Sequence, residues 1–264
     1  MRHCTAKSLG DLACESPWRG HVLSKYTNVI NILREDGMVV SIISDPTAMS
    51  AMGVLVEELI TLPSNSKITD MEVIFESSHI RIDQLALIAC EICPIWEGRI
   101  KWETVRKIPL PVILSIRESL LAYGTQGGFL GILHGGDSDN RFMARALKFI
   151  EEGTPEKLVG CGPGLTPAGD DFLTGAILAS SIPLFLDRIR LEQLLQGTTP
   201  AGRTLLWMAV QGRFPAYVVR FIDAIVEAED SVKAITRAVR AACTHGATSG
   251  TDMLAGFCWQ MLKS

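Results

Sequence analysis

The hydrophobic pattern of this chain changes period near residue 110. Before it, apolar positions come in short β-branched runs separated by turn residues, which is how strands read. Runs 28–33 and 38–43 flank Arg34-Glu35-Asp36-Gly37, where glycine supplies a hairpin turn. Runs 72–75 and 79–82 flank Ser77-Ser78 as a second hairpin. Pro46, Pro63, Pro109 and Pro111 punctuate this part, and helix starts are few. An antiparallel sheet, or the same sheet rolled into a small barrel, is expected. From residue 111 apolar residues recur at helical spacing in 112–123, 141–151, 167–183, 191–196, 200–212, 216–228, 231–243 and 251–262. The expected fold class is therefore α+β, with a β-rich part over 1–110 and a mostly helical part over 111–264. The two are expected to pack together, because no Ser- or Gly-rich linker separates them.

Composition narrows the possible surroundings. A chain of 264 residues can bury a real core as one large domain or two modest ones. Hydrophobic residues make up 47%, against 20% charged, and the mean hydropathy is +0.24. That excess points to contact with other subunits. The longest apolar stretch, 175–186, is broken by Ser180, Ser181 and Pro183 and is too short to span a bilayer. The opening MRHCTAKSLGDLACESPW lacks the apolar segment of a signal peptide. Seven scattered cysteines suit free thiols in a reducing compartment. A net charge of −4 offers no electrostatic footprint for nucleic acid. A cytoplasmic protein without membrane or nucleic-acid partners is expected.

Against this background, GCGPGLTPAGDDFLTG (160–175) stands out for its glycines, prolines and paired aspartates. Thr166-Pro167 reads as a helix start, with Thr at the N-cap and Pro at the first helical position. Gly160, Gly162 and Gly164 then lie on the approach to a helix N-terminus, where a ligand can come close to exposed amides and an anion is favoured. Taken alone, such a loop is more often a capped connection than a binding site. A repeat changes the balance. Gly169-Asp170-Asp171-Phe172-Leu173-Thr174-Gly175 recurs as Gly250-Thr251-Asp252-Met253-Leu254-Ala255-Gly256, offset by 81 residues. The shared pattern G-x-D-x-L-x-G places Asp and the second Gly on one helix face. Capping and helix packing explain either copy alone. Two copies in matched apolar helices favour a site in which Asp171 and Asp252 face one pocket.

Together, GPGLTPAGDDFLTG and TSGTDMLAGF resemble the AllH family. That family supplies one subunit of oxamate carbamoyltransferase, which converts oxalurate and phosphate to oxamate and carbamoyl phosphate in allantoin breakdown. The resemblance implies partner subunits, a small anionic substrate and no cofactor. It marks Gly162, Pro163, Gly164, Leu165, Thr166, Pro167, Asp170 and Asp171 in the first motif, and Thr248, Ser249, Gly250, Asp252, Leu254 and Gly256 in the second. The expected catalytic residues are Asp171, Asp252 and Asp170. The expected substrate-binding residues are Gly162, Gly164, Leu165, Thr166, Gly169, Thr248, Ser249 and Gly250. One departure stands out. The family carries Gly-His directly before Thr-Ser-Gly, whereas this chain has His245-Gly246-Ala247-Thr248. Either His245 is recruited or the step is absent, which leaves room for a different carbamoyl or acyl substrate.

Weaker features read blandly. Cys90-Glu91-Ile92-Cys93 lacks the further ligands that a zinc site needs and reads as inert thiols. The turn 134–140 reads as a loop whose Asp139 or Asn140 caps the next helix. Arg203 and Arg213 could meet an anion but read as surface residues. Three functional classes remain. The first is a subunit of a carbamoyl-transfer complex. The second is a stand-alone hydrolase in which Asp170, Asp171 and Asp252 hold Mg²⁺ and activate water. The third is a non-catalytic assembly subunit. Metal content separates the second from the others, and activity of the isolated chain separates the third.

Overall fold

A computed structural model describes residues 1–62, 68–134, 141–180, 193–229 and 231–263. Its strands are β1 (Arg2–Gly10), β2 (Trp18–Lys25), β3 (Val29–Arg34), β4 (Val39–Ile43), β5 (Gly53–Val56), β6 (Glu72–Glu76), β7 (His79–Ile82), β8 (Ala86–Ala89) and β9 (Ile95–Trp96). Both hairpins form as expected. β3 and β4 pair antiparallel with Val29 opposite Ile43, and Gly37 turns at φ 82°. β6 and β7 pair with Val73 opposite Ile82. Ser77 and Ser78 sit at φ 49° and 59°, the left-handed geometry that matches strand twist in a two-residue loop.

The strands run in the order β5-β4-β3-β2-β6-β7-β8-β1, and β1 returns to pair with β5. Eight strands thus close on themselves, with β9 added along β1. Closure leaves few edges for other chains to pair with. It also sets β1 parallel to β8 and β9, and β4 parallel to β5, within an otherwise antiparallel set. Val22, Ile30, Ile32, Val40, Ile42, Ile80 and Ile88 fill the core. Asn31 is the polar exception, and it is satisfied. Its Nδ2 donates to Ser24 Oγ at 3.0 Å, and its Oδ1 accepts from Ser41 Oγ at 2.8 Å.

These strands belong to one compact unit, Met1–Gly98 with Arg213–Ala216. The returning segment is stitched in by Phe214 N–H to Gly98 O (2.8 Å) and Ala216 N–H to Met49 O (2.7 Å). Arg213 places Nε and Nη2 on Asp11 Oδ2 at 2.9 and 2.6 Å. That arginine is held in a half-buried ion pair.

The second unit, Arg99–Gly212 with Tyr217–Ser264, is helical. Its described helices are α1 (Trp102–Arg106), α2 (Leu110–Tyr123), α3 (Arg141–Glu151), α4 (Ala168–Ala179), α5 (Pro200–Val210), α6 (Ala216–Glu227), α7 (Val232–Cys243) and α8 (Ser249–Met261). The periodic runs locate all of these but α1, and they miss the 3₁₀ segment Phe129–His134. The end of run 167–183, the start of run 191–196 and the turn residues 135–140 lie outside the described residues. Two starts are capped conventionally. Thr199 Oγ1 accepts from Gly202 N–H at 3.0 Å, and Ser231 Oγ accepts from Ala234 N–H at 3.4 Å. No described helix is long and apolar enough to cross a membrane.

Among the described helices, α4 and α8 make the most extensive contact. A Cβ on Gly175 would lie 1.8 Å from the Met253 carbonyl oxygen, and one on Gly256 would lie 1.9 Å from that of Phe172. In the register of the repeat, Met253 matches Phe172 and Gly256 matches Gly175, so each helix sits in the other's notch by the same contact. The motif's first glycines also correspond. Gly169 presses on Leu158 O and Gly250 on Ala242 O, each with 2.0 Å to a virtual Cβ. Phe172 completes the crossing between Phe129 (centroids 5.2 Å) and Trp259 (5.5 Å).

Candidate functional site

Because the two copies of the repeat cross at their second glycines, their aspartates lie one turn back at the two helix starts. Asp171 and Asp252 are 2% and 0% exposed, and each keeps an Oδ2 that no hydrogen bond reaches. Burial pushes the Asp171 carboxyl well above its ordinary range, and the charges of Asp252 and Asp170 add to that; the Ser249 and Thr166 side chains partly oppose it. Burial likewise pushes Asp252 up to about 6, against the Phe129 N–H and the Thr248 side chain. Leaving buried carboxylate oxygens without donors is costly.

Asp252 Oδ1 accepts from Phe129 N–H at 2.5 Å, and Thr251 Oγ1 accepts from Thr125 N–H at 3.0 Å. The 124–129 connection therefore wraps the start of α8. A Cβ on Gly128 would come within 2.0 Å of Asp252 Oδ1, so only glycine lets this loop lie so close. Gly128→Ala is expected to swing the Asp252 carboxylate out of place while sparing most of the core. The check is an unfolding free energy from urea lowered by no more than about 2 kcal/mol alongside ligand affinity cut at least as severely as in an Asp252→Ala variant. Wild-type affinity would show that the loop does not set the carboxylate.

Thr166 does not take the capping role expected of it. Pro167 occupies the N-cap position, and the N–H groups of Asp170 and Asp171 both reach Pro167 O, at 2.8 and 3.2 Å. Gly169 N–H, the donor a Thr166 cap would serve, already donates to Cys161 O at 2.8 Å. The Thr166 hydroxyl instead lies 3.4 Å from Ser249 Oγ. The first motif thus meets the second through Thr166, Asp171, Ser249 and Asp252.

Asp170 faces elsewhere. Its Oδ1 accepts from Gly160 N–H at 2.8 Å, its Oδ2 accepts the Thr198 hydroxyl, and a Cβ on Gly202 would lie 2.0 Å from Oδ2. Burial raises its carboxyl, and those two donors oppose the rise. Asp170 therefore clamps the glycine loop to the start of α5. The loop keeps its left-handed turns at Gly160, Gly162 and Gly164 (φ 72°, 111° and 108°), and Leu165 O accepts the Thr199 hydroxyl. Amides of both motifs are partly committed, since Gly160 N–H goes to Asp170, Gly169 N–H to Cys161 and Gly250 N–H to His245. Among the described residues, no three His, Cys, Asp or Glu side chains cluster so as to hold a metal ion.

Sequence reasoning missed Tyr217. It is 7% exposed, stacks on His245 with centroids 3.9 Å apart and planes at 14°, and lies in the field of both Asp171 and Asp252. It also missed Thr198 and Gly202. One signal pointed to the latter, because Thr-Pro-Ala-Gly occurs at both 166–169 and 199–202. Arg203 Nε donates to Leu195 O at 3.2 Å. Cys90 is buried with its thiol pushed up to about 12, and Cys93 Sγ donates to Cys90 O at 3.3 Å.

No solved structure matches the chain. The paired motifs, Tyr217 and His245 all fall within residues 158–261, and over that stretch the chain matches the AllH family, described as oxamate carbamoyltransferase subunit AllH.

Proposed function

We propose that this chain is a subunit of an oxamate carbamoyltransferase-like complex, and that the facing starts of α4 and α8 receive the ureido end of its substrate. One observation carries the reading: two adjacent buried carboxylates each hold an oxygen without a donor. The ionised Asp252 carboxylate only accepts hydrogen bonds, and the carbonyl oxygen of a neutral Asp171 accepts as well. A ureido group presents N–H and NH₂ donors, so it complements the pair, and phosphate alone does not. The glycine loop shapes the approach, and the substrate's anionic end meets the helix starts or groups from partner subunits.

Asp171, held toward its neutral form beside Asp252, suits proton delivery. A phosphate oxygen adds to the carbamoyl carbon, and the bond from that carbon to the oxamate nitrogen breaks. The nitrogen takes the proton from Asp171, and the proton released by the phosphate restores Asp171. The products are oxamate and carbamoyl phosphate. The metal-hydrolase reading loses support because Asp170 is occupied with Gly160 and Thr198.

The test is carbamoyl phosphate formation from oxalurate and phosphate, measured for the chain alone and for the chain co-purified with the other subunits. Turnover is expected only in the assembled complex. Full turnover by the isolated chain, or an assembled complex inert toward oxalurate, would overturn the proposal.

A further inference from the structure

Of the chain's tyrosines, Tyr26 and Tyr123 are 51% and 52% exposed, whereas Tyr217 is buried on α6. Its ring has little freedom, because His245 lies flat against it. His245 is itself fixed, with its N–H donating to Ala242 O and its carbonyl accepting from Gly250 N–H, both at 3.1 Å. The stacked pair therefore belongs to the turn that launches α8, the helix carrying Ser249 and Asp252. Burial first, and the nearby Asp171 and Asp252 carboxyls after it, hold the Tyr217 phenol in its neutral, proton-donating form. Ala247, where the motif resemblance expects histidine, is exposed. The imidazole of this turn thus points at Tyr217.

A ureido substrate carries carbonyl oxygens as well as N–H groups, and with the Asp171 proton committed to the leaving nitrogen the carboxyl pair offers those oxygens no donor. We propose that Tyr217 is a substrate-binding donor of this site, giving its phenolic hydrogen bond to a ureido carbonyl oxygen, with His245 as the platform that fixes the ring. This rests on the ureido reading of the Asp171–Asp252 pair. A donor aimed at an oxygen where charge develops acts mainly in the transition state.

In the assembled complex with oxalurate and phosphate, Tyr217→Phe is expected to lower kcat by about 10²-fold with KM changed much less. His245→Ala should lose rate too, and His245→Phe, which keeps a flat ring, should recover much of it. A second measurement needs no substrate. The phenolate absorbance that disappears in Tyr217→Phe should move to lower pH when Asp171 and Asp252 are both changed to Asn. Unchanged kcat in Tyr217→Phe, in a complex that Asp171→Asn inactivates, would overturn the assignment. A Tyr217 titration indifferent to the double Asn change would do so as well. A wild-type complex inactive toward oxalurate would instead sink the ureido reading, leaving the titration to decide whether the phenol faces the carboxylates.

Discussion

Alanine at Gly175 or at Gly256 is expected to cost at least about 3 kcal/mol of stability, the upper range for overpacking. The sign is opposite to that of most such changes, since Gly→Ala inside a helix normally stabilises by about 1 kcal/mol. Here the added methyl would meet a backbone carbonyl of the partner helix at 1.8 or 1.9 Å. A backbone oxygen cannot rotate away, so α4 and α8 must separate by more than an ångström. Separation would loosen Phe172, Trp259 and Phe129 together. Urea unfolding should show the loss as a lowered midpoint, equal within error for the two variants because the crossing is reciprocal. Gly197, with nothing within 4 Å of a virtual Cβ, serves as the control and should change by less than about 0.5 kcal/mol. A cost below about 1 kcal/mol at either notch would mean that the helices do not cross there.

The repeat that leads to this crossing was legible in the chain because both copies are short, periodic and in register. The reciprocity was not, since nothing in the sequence says that one copy's notch receives the other's carbonyl. Hairpins and long helices were likewise readable from period and turn residues. A small barrel was among the expected forms, but its parallel pairings of β1 with β8 and β9 and of β4 with β5 were hidden, because the first strand meets strands formed much later in the chain. The aspartates show the same limit inside the site. Asp170 and Asp171 are neighbours in sequence, yet about 100° of helical rotation sends one to Gly160 and Thr198 and the other to Thr166 and Ser249. Identical Thr-Pro-Ala-Gly starts also diverge. At Thr199 the hydroxyl caps Gly202, whereas at Thr166 the competing acceptor on Cys161 frees it to face the second motif. Tyr217 sat in an apolar helical run with nothing to single it out, and by burial it belongs to the core.

Removing the charge at Asp252 is expected to strengthen the fold and disable the site. In the folded chain its carboxyl is pushed from the ordinary 3.8 up to about 6, chiefly by burial. Between those values the folded protein binds more protons than the unfolded chain, so stability falls as pH rises through that window and stays reduced above it. The difference of roughly two pH units corresponds to about 3 kcal/mol carried as a penalty at neutral pH. Asp252→Asn removes the ionisation. Its Oδ1 can still accept from Phe129 N–H, and its new NH₂ takes the place of the oxygen that had no donor. The variant should gain about 1–3 kcal/mol at pH 8 and little at pH 4, read from urea midpoints at both. Asp171→Asn should move in the same direction, since burial and the Asp252 charge raise that carboxyl as well. Both variants should assemble normally yet lose about 10²-fold or more in rate, as expected when an acid–base or substrate-orienting group is neutralised. Carboxylates that weaken the fold and can be replaced to its benefit are held for what they bind. If instead the Asn variants were less stable at pH 8, the carboxylates would have to be serving the fold, and the argument from their unpartnered oxygens would fail.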